Sequence, residues 1–271
     1  MASLRPRLAV AFDASGVSGA LVARAVGRSR LRSTARVELP PGALTPSALG
    51  PNLQRPHEVG EALAELRRRL GDGSGAALVL PDGVGRALLL DVASGIDLRA
   101  FVRFRLAPLL PYPAEEAVID VLRLGRGRVL GAAVRRSVVA EYEQSAAAAG
   151  FLQEGVHLAP LLVVAGLLRR GAGVHVILGD AALSLAAFRD ARLAAFRTRR
   201  RDPGPGEAER LLDEAERTAL LAGGEAEVTF VGPGARDLVE RLAAGGRRAE
   251  VGPHPTDPRA GEAAWISGML A

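Results

Sequence analysis

The feature that most constrains the fold of this chain is an order of elements that occurs twice. Residues 7–12 are strand-like, residues 19–26 form a second strand and "STARVEL" makes a third. A Pro-rich stretch follows, "LPPGALTPSALGPNLQRP", which reads as a surface loop. Val59, Leu63, Leu66 and Leu70 then mark one face of a helix, and "AALVL" is a buried strand that ends in "PDGVG". The later half uses the same grammar. "GVHVIL", "ALSLAAF" and "RLAAFRT" are strands, with "RDA" turning between the last two. The break "DPGPG" leads into the helix "EAERLLDEAERTALLA", the strand "VTFV" with its "GPG" ending, and the helix "ARDLVERLAA". Two copies of a three-strand meander, a helix and a further strand flank an unrelated middle, and such internal duplication specifies architecture. With 271 residues there is ample core for two lobes.

The reading divides the chain into a first lobe at 1–165, with an inserted module at about 75–155, and a reduced second lobe at 166–271. Within the module, "GIDLRAFVRFRLAPLL" reads as a helix with Asp97 as its N-cap. "EEAVIDVLRL" and "GRVLGAAVRR" read as strands around a "GRG" turn. "SVVAEYEQSAAAAG" is a helix expected to be capped by Ser137 and stopped by Gly150. The segment "VHLAPLLVVAGLLRR" is expected as a largely buried helix leading into the second lobe.

Composition removes several chemistries. The chain has no cysteine, which excludes disulfides, thiolate catalysis and zinc–thiolate sites and fits a reducing compartment. All 35 basic residues are arginine, so a lysine-type phosphate loop and Schiff-base chemistry are excluded. The net charge is +5, yet the arginines mingle with glutamates on helical faces, as in "EALAELRRRL", and do not form a nucleic-acid stripe. Only "RTRRRD" is concentrated, and it reads as a solvated strand end. His57, His157, His175 and His254 show no metal-ligand spacing. The longest apolar run, "VHLAPLLVVAGLL", is shorter than the roughly 20 residues that span a bilayer. The N-terminus has no apolar signal core, so a cytoplasmic location is expected.

One short stretch carries a chemical question. "AVAFDASGVSGALVAR", residues 9–24, reads strand, Asp, Gly/Ser turn, strand. Small residues let backbone N–H groups approach an anion, and a nearby Asp can hold the metal that travels with it. The same four residues also make an ordinary hairpin turn, and the motif alone leaves both readings open.

The middle module resembles a family. "LLPYPAEEAVIDVLRL", then "LGAAVRRSVVAEYEQSAAAAGF" and the tail "GEAAWISGMLA" look like the type IV pilus assembly protein PilM and the related type II secretion protein GspL. The resemblance implies an α/β, actin-like (duplicated ribonuclease-H-like) two-lobed fold. It also places a nucleotide cleft on named positions. Asp13 matches the first turn, Ser15 stands where the family has Gly, and Gly16 and Ser18 keep part of the cradle. Ala20 replaces a basic residue of the second strand. The second turn should begin with Asp, but that register position is Ile177, followed by Leu178 and Gly179, with Asp180 shifted and Ser184 beyond it. The adenosine motif survives as "VGPGA", with Gly232 and Gly234. Only one helix fits between the third strand of the second lobe and "VTFV", where ATP-binding relatives insert a subdomain.

These departures imply a vestigial cleft without cofactor or metal, in a non-catalytic scaffold on the cytoplasmic face of a pilus or secretion machine. Its partners would be other assembly-platform proteins and a short peptide of a PilN-like inner-membrane protein. The peptide would lie in a groove between the first lobe and the middle module, which Pro111, Tyr112, Pro113 and Asp120 would help to form. The alternative is an ATPase that uses Asp13 and Asp180 with ATP and magnesium. A sugar or acetate kinase of the same superfamily is a third reading, for which no sugar-binding cluster or general base stands out.

Overall fold

The computed structural model describes residues 8–25, 28–71, 75–125, 127–168, 171–223, 227–252, 265–266 and 269. Strand β1 (Leu8–Asp13) shows how the first lobe is built. Leu8, Val10 and Phe12 point to one side of the sheet, Ala9 and Ala11 to the other, and all are buried. A strand buried on both faces needs a layer packed on each side of its sheet. β1 is the central strand: β2 (Gly16–Ala25), β3 (Arg28–Glu38), β4 (Gly75–Leu80) and β8 (Leu152–Leu158) complete a five-stranded sheet in the order β3-β2-β1-β4-β8. The large side chains of β1 meet α1 (Pro56–Leu70) and α3 (Arg136–Ala148) through Leu63, Leu66, Val138 and Tyr142. Phe12 and Tyr142 stack edge to face at 4.9 Å. The alanine side admits α4 (Ala159–Leu167) through Leu162, together with Trp265, Ile266 and Met269.

The second lobe repeats the plan with different residues. Strands β9 (Gly173–Leu178), β10 (Ala182–Arg189), β11 (Arg192–Arg200), β12 (Val228–Val231) and β13 (Glu250–Val251) form a sheet in the order β11-β10-β9-β12-β13. Helices α5 (Glu207–Leu221) and α6 (Ala235–Ala244) cover one face through Leu211, Leu212, Leu238 and Leu242. The other face holds Ile177, Phe188 and Phe196, packed on Val163 and Val164 of α4. Helix α4 is thus apolar all round because it lies between two sheets. No described residue between β11 and β12 adds a further sheet.

A three-stranded sheet is inserted between β4 and α3. It comprises β5 (Gly85–Asp91), β6 (Ala117–Gly125) and β7 (Arg128–Arg135) in the order β5-β7-β6, and α2 (Leu98–Leu106) covers one face. Asp97 caps α2 by accepting from the amides of Arg99 and Ala100.

Several expectations change. The inserted sheet is narrower than 75–155, because β4 and β8 pair with each other in the first sheet and α3 is buried in its core. Ser137 does not cap α3. The helix starts at Arg136, straight out of β7, with Arg135 at the cap position and no side-chain cap. The expected single helix at "VHLAPLLVVAGLLRR" divides, with residues up to Leu158 in β8 and Ala159–Leu167 helical. The tail at 253–264, which includes His254, lies outside the described residues.

The Pro-rich stretch is no free surface loop either. Asn52 is fully buried, accepts from the Ser47 amide and the Tyr142 hydroxyl, and donates to the Ser47 carbonyl. The Glu141 carboxylate of α3 accepts from the amides of Asn52 and Leu53 at 2.9 and 2.7 Å. An unpaired buried amide costs about 1–3 kcal/mol. Glu141→Ala should therefore lower stability by about that amount in denaturant titration. Glu141→Gln, which keeps one acceptor, should lose less.

Candidate functional site between the lobes

The turns after β1, β4 and β9 come together where the two lobes meet. The first hairpin, with Asp13 opposite Gly16, leaves Ala14 and Ser15 as its two-residue turn. The onward pairing sets Ser18 opposite Arg36 and Gly16 opposite Glu38. That register brings the Arg36 guanidinium onto Asp13. Its two terminal nitrogens reach the two carboxylate oxygens at 2.6 and 2.9 Å, in a forked ion pair. Arg36 also donates to the Ser15 hydroxyl and to Glu38. The Ser15 amide and hydroxyl donate to Asp13 Oδ1 at 2.9 and 2.8 Å. Burial alone would push the Asp13 carboxyl up, but the hydrogen bonds and charge of Arg36 outweigh it and hold the group below its ordinary range.

The second lobe reaches back with its own carboxylate. Asp180 Oδ2 accepts from the Ala14 amide at 3.0 Å. In the opposite direction, Asp82, in the turn after β4, accepts from the Ala182 amide of β10 at 2.8 Å. Gly179 makes this approach possible, since a Cβ there would lie 2.0 Å from Asp82 Oδ2. Burial, helped by the charge of Asp180, raises the Asp82 carboxyl to about 6. Beneath the turn, Arg201 donates to the Gly179 carbonyl at 2.8 Å and pairs with the buried Glu207 at 2.7 Å.

The other expected cleft residues are placed as follows. Ser184 is fully buried, and its hydroxyl shares a hydrogen bond with Thr198 at 3.0 Å. Ile177 is buried in the apolar layer beside α4. Gly232 has φ +109° and lies so close to the Leu178 carbonyl that a Cβ would approach it to 2.4 Å, while Gly234 begins α6. Asp13, Gly179, Asp180, Ser184 and Gly232 line one cavity with Asp82 and Trp265; Ser15, Gly16, Ser18 and Gly234 lie outside it. The cavity measures about 80 Å³, against roughly 300–1,000 Å³ for sites that take small organic ligands.

A magnesium nucleotide does not fit these residues. Both oxygens of Asp13 are held by a guanidinium, the Ala14 and Ser15 amides already face carboxylates, and the cavity is small. Among the described residues, no three His, Asp or Glu side chains are grouped to hold a metal. Sequence reasoning missed Arg36, Asp82 and Arg201. Arg36 is placed by the β2–β3 pairing, whose register the two-residue turn after β1 does not fix.

Of the residues expected to receive a partner, Pro111, Pro113 and Asp120 are exposed. Tyr112 is not. It belongs to the core of the inserted sheet, with the Arg135 guanidinium 5.8 Å from its ring centroid.

No protein-family model and no curated protein sequence matches the chain. Solved structures do. A chain of the "PilM-PilN type IV pilus biogenesis complex" superposes with a TM-score of 0.74 at 16% identity, over 99% of this chain and 98% of that one. A Bacteroides thetaiotaomicron protein of unknown function, described as having an actin-like ATPase fold, gives 0.61 at 9% identity, over 99% and 96%. The chain has the actin-like ATPase fold. The cytoplasmic domain of EpsL, an inner-membrane component of the Vibrio cholerae type II secretion system, gives 0.55 at 13% identity over 83% and 82%. The first and third of these come from a type IV pilus complex and a type II secretion system, the two machineries that the sequence resemblance names.

Two measurements check the actin-like cleft. Arg36→Ala strands a half-buried carboxylate and should cost about 1–3 kcal/mol. A double-mutant cycle with Asp13→Ala should return a coupling of at least about 0.5 kcal/mol. The Asp82 carboxyl is raised on folding, so its contribution to stability is complete below about pH 4 and declines as pH rises through about 6. Asp82→Asn should remove that decline and raise stability above pH 6 by of order 1–3 kcal/mol, read from melts across pH 4–8.

Proposed function

We propose that this protein is a non-catalytic actin-like component of a type IV pilus or type II secretion assembly platform, working as a scaffold on the cytoplasmic side of the inner membrane. The observation that carries this reading is the internal saturation of the cleft. Arg36 stands where a cation would be needed, and Asp180 takes a turn amide that a phosphate would need. The full-length likeness to a chain of a PilM–PilN complex supports the choice of machine. No helix among the described residues is long and apolar enough to cross a membrane; the proposed reading assigns the membrane connection to a partner.

That partner is a PilN-like inner-membrane protein, bound through a short extended cytoplasmic segment. Strand β6 favours such binding. It is an outer strand of the inserted sheet, with no described strand on its free edge. Val118, Asp120 and Leu122 alternate along its exposed side. An open edge gives an added strand its main-chain hydrogen bonds, and alternate side chains give it specificity. The charge of Asp120 also acts on His157 of β8, the outer strand of the first sheet.

The test is titration of the partner's cytoplasmic segment into the full chain. Asp120→Arg and Leu122→Glu should each weaken binding at least tenfold, while Asp13→Ala leaves it unchanged. Absence of binding, or binding that requires magnesium and ATP, contradicts the scaffold reading.

A further inference from the structure

A second cavity, of about 430 Å³, lies away from the cleft. Its walls come from the end of the β6–β7 hairpin, from Leu168 after α4, and from the β10–β11 turn of the second lobe. Among the described residues three arginines line it, Arg123, Arg128 and Arg192, and no acidic residue does. The floor is aliphatic, with Leu124, Leu168 and Leu193.

The arginines are not equivalent. Arg128 is fixed in place, since its Nε donates to Asp91 at 2.9 Å and one terminal nitrogen donates to the Leu193 carbonyl at 3.2 Å. A guanidinium held at two of its nitrogens still has donors to present, already oriented. Arg123 and Arg192 are exposed, and neither has a carboxylate within ion-pair distance among the described residues. Arg192 is carried to the cavity wall by a tight turn in which Asp190 and Ala191 both have positive φ, +50° and +55°. Such turns are usually made with Asn or Gly. Alanine in this conformation is strained, and strained residues concentrate where a fold holds a functional group in place. Ala191 itself lines the cavity.

We propose that this cavity is an anion site for a compact, multiply charged phosphate, bound without a metal ion. Three guanidinium forks arriving from different strands suit a tetrahedral oxyanion better than a single planar carboxylate. The volume lies within the roughly 300–1,000 Å³ of small-molecule sites. Arg123 and Arg128 belong to the inserted sheet and Arg192 to the second lobe. A bound phosphate therefore ties the module to the lobe.

The test is calorimetric titration of the full chain with inorganic pyrophosphate in the presence of EDTA. Triglutamate serves as the carboxylate control. Submillimolar binding of pyrophosphate is expected, weakening steeply with salt and at least tenfold in Arg192→Glu and in Arg123→Glu. Both variants lie at exposed positions and should melt like the parent protein in the absence of anion. Asp13→Ala should bind pyrophosphate as the parent does, which separates this site from the cleft. The proposal is overturned if no heat appears up to several millimolar, if the two arginine variants bind equally well, or if triglutamate binds more tightly than pyrophosphate.

Discussion

A carboxylate removed from water needs a hydrogen-bond donor or a cation, and three of them meet where the lobes of this protein join. Asp13 takes a guanidinium, Asp180 an amide of the first lobe, and Asp82 an amide of the second. The last two contacts run in opposite directions across the junction, so each lobe holds the other by a backbone N–H. Closure of a nucleotide-binding cleft normally depends on phosphate and metal to bridge such groups. Here the protein's own side chains supply both kinds of charge. On the proposed scaffold reading, the departures from the nucleotide motif and the retention of the fold have one physical account: the charged positions are filled from within.

The same economy appears in the core. Helix α4 serves both sheets, with Leu162 in the layer under β1 and β4 and Val163 and Val164 in the layer under β9 and β10. The alanines of β1, β2 and β4 on that side leave room for Trp265, which also lines the cleft cavity. An aromatic ring next to the cleft keeps it small. The electrostatic and packing arguments therefore point the same way.

Much of this was legible in the sequence where apolar periodicity is strong. The duplicated meander is written in β1, β4, β9 and β10, whose buried runs leave no doubt about strand geometry, and the Asp97 cap follows from residue type and position alone. Strand β8 was missed because "LQEGVHL" lies at a sheet edge, and its exposed positions carry mixed polar and apolar residues. Ser137 misled because a strand that runs straight into a helix needs no cap in the usual place. Tyr112 was assigned to the partner groove with Pro111 and Pro113, which are exposed, whereas its ring turns into the core of the inserted sheet. Asp13 and Asp180 were named from the resemblance, and both line the cavity between the lobes. Their partners were not named: Arg36 reaches Asp13 through the β2–β3 register, and the Ala14 amide that Asp180 accepts from lies across the lobe junction.

The central claim is that Arg36 replaces a metal and the cleft holds no nucleotide. A crystal structure determined from protein grown with millimolar ATP and magnesium tests it at the atom concerned. The account predicts the Arg36 fork still on Asp13, the Ala14 amide still on Asp180, and no nucleotide between the lobes. A nucleotide seated there, with magnesium near Asp13 and Arg36 swung away, would contradict it.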